Sequence, residues 1–156
     1  MKAMTILTRC REAEADARRI RQKIRQRMEA AENVSPAMDP AGSVTHSSSE
    51  PDRIASLTCG ITALEKELET REQARRAEAA AACVYLDTLS EAESAILYSY
   101  YVGYLSTGEI AAKLHYVVGY VRNIKTSAEK KLDTLDDATV RAALPPWYLK
   151  AYGDAA

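Results

Sequence analysis

The chain has 156 residues, a net charge of −1, and 47% hydrophobic but only 6% aromatic content, with no Phe. That length suits one domain, or one compact unit with an extension. The scarcity of aromatics disfavours a β-sandwich and favours Ala- and Leu-rich helical packing. The near-zero net charge gives no bulk argument for a polyanionic partner, so any such argument must come from local charge. Cys10, Cys59 and Cys83 are odd in number and far apart, with no CxxC and no nearby His, which predicts three free thiols in a reducing cytoplasm, with neither a metal site nor a disulfide framework. No apolar run approaches the roughly 20 residues of a membrane span. The first apolar patch is followed at once by charged residues, so no signal peptide is expected there.

In chain order, Thr5 to Asn33 reads as one long helix. Ile6, Cys10, Ala13, Ala17, Ile20, Ile24, Met28 and Ala31 recur every three or four residues, close to a heptad seam. Its Arg18, Arg19, Arg21, Lys23, Arg25 and Arg27 form a basic run. We read that run as a solvated face with long stems over the seam, with nucleic-acid contact as the alternative. Residues 34–51, rich in Pro and Ser and including His46, read as a flexible loop. A second seam, Ile54, Leu57, Ile61, Leu64 and Leu68, begins after Asp52, a plausible N-cap, and its helix extends to about Leu86. Two seams joined by a loop predict an antiparallel, coiled-coil-like helical hairpin over 1–86, with an intermolecular coiled coil as the competing geometry. The first seam is weak and needs a partner.

Three shorter helices are expected over 87–135. Ser90 with Glu93, and Ser106 with Glu109, have capping-box spacing. Gly103 offers a turn between them. "HYV", His115 to Val117, is the turn before a last helix from about Val118 to Leu135. Residues 136–156 read as a tail. Pro145-Pro146 cannot continue a helix, and Trp147, Tyr148 and Tyr152 are expected to pack on the body.

The pair of helices around "HYV" has the spacing of a helix-turn-helix. Ala111 is small where the second helix must cross, and Ile110 and Leu114 point to a core. Val121, Ile124, Ala128 and Leu132 form the buried stripe of the second helix. The opposite face offers Val118, Gly119, Arg122, Asn123, Thr126 and Lys130, residue types that read base edges. Lys113, Lys125, Lys130 and Lys131 are candidates for phosphates. Between Lys113 and Leu132 five basic residues face Glu129 alone, so the local charge is positive although the total is not. No arrangement of nucleophile and base, Gly-rich phosphate loop or metal-ligand cluster is present in the sequence, so neither an enzyme nor a cofactor or metal is expected.

"LSEAESAILYSYYVGYLSTGEIAAKLHYVVGYVRNIKTSAEKKL", Leu89 to Leu132, resembles region 4 of sigma-70-type factors. Over about Met1 to Leu135 the chain also resembles small phage and prophage proteins grouped with ArpU-type transcriptional regulators. "SSSEPDRIASL", "EIAAKLHY" and "YVRNIKTSAEKKL" carry that similarity. The resemblance implies an all-α fold, a helical hairpin followed by a three-helix, sigma region 4-like helix-turn-helix. It implies sequence-specific binding of double-stranded DNA and transcription control in the cytoplasm of a bacterial host. It leaves open contact with RNA polymerase and a homodimer through the hairpin. A DNA-packaging, small terminase-like recognition subunit and a protein-binding adaptor are the alternatives. Three departures stand out. His115 occupies the usual turn Gly, Val117 the usual Ser or Thr cap, and Gly119 the first turn of the reading helix. They imply a weakly preset reading helix that relies on a second copy or on polymerase.

Overall fold

The computed structural model describes residues 2–33 and 50–152. All regular structure among them is helical: α1 (Ala3–Glu32), α2 (Glu50–Leu86), α3 (Glu91–Leu97), α4 (Thr107–Leu114), α5 (Val118–Asp133), α6 (Asp137–Ala142) and α7 (Pro146–Tyr152). One π-helical turn, Tyr98–Val102, continues α3. The loop expected over 34–51, with His46, lies almost wholly outside the described residues. α2 starts at Glu50, ahead of the cap expected at Asp52. The chain divides into two compact units, residues 17–71 and residues 1–16 with 72–156.

In the unit of residues 17–71, the seam is deepest at Ala17 and Ile20, which are buried. It becomes half-buried at Ile24, Leu57, Ile61, Leu64 and Leu68, and opens to solvent at Met28 and Ile54. The Arg27 guanidinium occupies the space that a side chain at Gly60 would fill.

The other unit holds two apolar cores. The larger joins Ala3, Ile6, Leu7 and Cys10 of α1 to Ala81, Ala82, Tyr85 and Leu86 of α2, Leu97, Tyr101, Ala128 and Leu132, and Val140, Leu144 and Tyr148. Burial pushes the Cys10 thiol up to about 12, so this thiol is an inert packing group. The smaller core consists of Ile96, Ile110, Ala111 and Val121, with Tyr100, Leu105, Leu114, Val118 and Ile124 against it.

Residues 136–152, expected as a tail, are part of this unit. The Asp136 carboxylate accepts from the Thr139 N–H at 2.8 Å and starts α6. No helix runs through Pro145-Pro146: α6 ends at Ala142, and Pro146 opens α7, where its missing N–H costs nothing. Tyr148 is fully buried and donates its hydroxyl to the Glu78 carboxylate. The Tyr85 hydroxyl donates to the Val140 carbonyl at 2.5 Å. Trp147 remains half-exposed.

Candidate nucleic-acid interface

Three local devices build this region. The first is the N-terminus of α3, where the Glu93 carboxylate accepts from the Ser90 N–H at 3.2 Å and from its hydroxyl at 2.9 Å. Lys131 of α5 reaches the same carboxylate at 2.5 Å, tying α5 to α3. Lys131, then Ser90, hold the Glu93 carboxyl below the ordinary carboxylate range. A carboxylate with a lowered folded pKa stabilises the fold above its unfolded value, and that contribution disappears as pH falls from 4.5 through the lower folded value. We therefore expect Glu93→Gln to flatten the acid limb of the stability–pH profile, followed by urea unfolding; an unchanged acid limb would show that this tie carries no weight.

The second device is the bend after α3. Gly103 N–H bonds the Tyr98 carbonyl at 2.9 Å, a five-residue spacing that makes the turn wide. Gly103 has φ −77°, so a left-handed conformation is not the reason for glycine. A Cβ there would meet the Ser99 carbonyl at 2.8 Å, and that close approach is the reason. Arg11 of α1 caps the bend from outside. It donates to the Tyr100 carbonyl and, at 3.2 Å, to that of Leu105. Its guanidinium lies 4.0 Å from the centre of the Tyr100 ring and 4.7 Å from that of Tyr104.

The third device is the turn between α4 and α5. The box at Ser106 is reciprocal: its N–H donates to Glu109 at 2.7 Å, and the Glu109 N–H donates to its hydroxyl at 3.3 Å. α4 ends at His115 in the left-handed conformation, φ 57° and ψ 37°. A non-glycine residue there costs about 1–2 kcal/mol. The Tyr116 N–H closes the turn on the Ala111 carbonyl at 2.9 Å. Val117 precedes α5 in the N-cap position and supplies no side-chain cap.

α5 packs against both α3 and α4. Val121, Ala128 and Leu132 are buried and Ile124 is half-buried, as the spacing predicts. The helix therefore has one outward face. Gly119, Arg122, Asn123, Thr126 and Lys130 are exposed and share it. The Thr126 hydroxyl donates to the Arg122 carbonyl at 3.0 Å. Val118, expected on that face, and Lys125, expected at a phosphate, both turn inward. Val118 packs against the small core. Lys125 is ion-paired to Glu129 at 2.5 Å and lies 4.3 Å from the centre of the Tyr100 ring. Lys113 is exposed on α4, whereas Lys131 is engaged by Glu93.

An α-helix held by a short turn across a second helix, with one polar outward face, is the geometry of a groove-reading unit. Residues 85–133 match the family model for sigma-70, region 4. The chain thus carries a sigma-70 region 4-like helix-turn-helix, a DNA-binding type of helical domain, over part of its length. Domains of this kind bind DNA and are not catalytic. No curated protein and no solved structure matches the chain. Among the described residues, no three His, Cys, Asp or Glu side chains are grouped to hold a metal ion. None of the described helices is long and apolar enough to cross a membrane.

The leading end of α5 is more apolar than its missing cap at Val117 alone implies. Tyr116, Val117 and Tyr120 are 42%, 77% and 46% exposed at the leading end of α5, and the two tyrosine rings lie 5.0 Å apart. The i, i+4 spacing of the tyrosines was the available signal.

Proposed function

We propose that the chain is a sequence-specific DNA-binding transcription regulator of phage or prophage type, with α5 as its reading helix. The observation that carries this reading is the coincidence of the region 4 match with an exposed face of Gly119, Arg122, Asn123, Thr126 and Lys130. Arg122 is suited to a guanine edge and Asn123 to an adenine edge. Lys113 and Lys130 are suited to phosphates. The left-handed His115 and the absence of a side-chain cap at Val117 support a reading helix that needs help to stay on DNA. The help is assigned to a second copy, paired through the helical hairpin of α1 and α2, or to RNA polymerase.

Selection of bound sites from random duplexes tests this reading. Arg122→Ala or Asn123→Ala should each cost about 1–3 kcal/mol on the selected site and relax preference at one base pair. Lys130→Ala should weaken all duplexes alike and reduce the salt dependence. Unchanged preference in both the Arg122 and Asn123 variants would remove α5 from the role. Solution mass separates a regulator from a packaging subunit, which would form a ring. Co-purification with polymerase without any DNA affinity would indicate an adaptor.

A further inference from the structure

The exposed end formed by Tyr116, Val117 and Tyr120 has no explanation within the fold. A Ser, Thr, Asp or Asn at Val117 would cap α5 and add about 1 kcal/mol of stability. The chain instead places there an aliphatic side chain that is 77% exposed. Gly119 follows, and a Cβ at that position would meet nothing within 4 Å, so packing does not require glycine. A glycine in the first turn weakens the helix. Two residues that weaken α5 therefore stand beside two exposed, adjoining tyrosines, all at its leading end.

The surroundings say what covers this end. Along the chain no acidic residue occurs from Ile110 to Ala128, and Lys113 and Arg122 are exposed; Glu91 of α3 lines the groove beside Tyr116, so the positive surplus lies on the α4 and α5 side of this end. Tyr120 lies one turn before Asn123, at the flank of the polar face. The occupant must then be anionic overall, carry hydrogen-bonding edges beside isolated apolar groups, and approach the backbone at Gly119 closely. The major groove has one apolar group on its floor, the C5-methyl of thymine.

We propose that Tyr116, Val117 and Tyr120 form an apolar head that packs on thymine methyl groups, so that thymines lie under the leading end of α5. This rests on α5 being a DNA reader, and it assigns the base class at that end of the site.

The test uses the full chain and its selected duplex, with deoxyuridine replacing thymidine one position at a time. Deoxyuridine removes the methyl and leaves the pairing edge unchanged. One buried methyl is worth about 0.8 kcal/mol, or about fourfold in affinity. The native chain should lose about fourfold at one or two positions beside those governed by Asn123. Val117→Ser, which gains a cap and so keeps its fold, should bind the thymidine duplex more weakly. It should also lose the response to deoxyuridine. Equal binding of every deoxyuridine duplex by the native chain overturns the proposal while leaving the Arg122 and Asn123 reading intact. An undiminished deoxyuridine response in Val117→Ser overturns it as well. Failure to select any duplex overturns the DNA-reading assignment itself, and the apolar head with it.

Discussion

Replacing Tyr148 with Ala should lower stability by about 3–5 kcal/mol, the cost of deleting a fully buried aromatic side chain. The residue sits in the larger core, so the loss spreads to α1, α2 and α6 rather than to α7 alone. Urea unfolding followed by circular dichroism measures it, and a cost within about 0.5 kcal/mol, typical of surface positions, would mean that residues 136–152 are an appendage after all. Tyr148→Phe separates packing from the hydroxyl. It keeps the ring and removes the donor to Glu78, a carboxylate that is itself buried, at a cost of about 1–3 kcal/mol. Burial raises the Glu78 carboxyl above its ordinary 4.5, and the Tyr148 hydroxyl opposes that rise. With a raised folded pKa, the folded state binds more protons than the unfolded one above 4.5, so this group's contribution falls as pH rises from there through the folded value. The Phe variant enlarges that shift. Its deficit should be smaller at about pH 4 than at about pH 7. A deficit that does not change with pH would disconnect Glu78 from the effect.

Ile110→Ala should cost about 2–5 kcal/mol and act on the DNA-reading end alone. Ile110 is fully buried in a core of four such residues, so its side chain is a large share of that core. α4 and the first half of α5 should lose amide-exchange protection, and DNA binding should disappear with them. Amides of α1 and α2 over the larger core should keep theirs. Ile110→Val, which removes one methylene, should cost about 0.5–1.5 kcal/mol and preserve binding. Loss of protection everywhere in the Ala variant would show that the two cores melt as one.

The contrast between those cores also explains what could be read from the chain. The buried stripe of α5 and both capping boxes are encoded by spacing within single helices, and spacing is visible in a sequence. The bend after α3 is not: it depends on Arg11, about ninety residues earlier, satisfying the Tyr100 and Leu105 carbonyls. Lys131 looked available for phosphate because its partner, Glu93, is 38 positions away. The pairing of Lys125 has a nearer cause. Its partner Glu129 is at i+4, a spacing that favours pairing along a helix face. The place of residues 136–152 in the fold is not visible in spacing either, because Pro145-Pro146 forbids continuing a helix but is equally suited to begin one.

Finally, α5 belongs to two cores at once. Val121 completes the small one, while Ala128 and Leu132 complete the large one against α1, α2 and α6. The stretch 85–133 that matches region 4 is therefore shorter than the piece of chain that supports it. Cut out along those limits, it would leave behind Ala3, Ile6, Leu7 and Cys10, as well as Arg11 and the floor made by Val140 and Tyr148. α5 is not a transferable cassette. A graft that is to keep its shape must take residues 3–11, the Ala81 and Ala82 turn of α2, and α6 and α7 along.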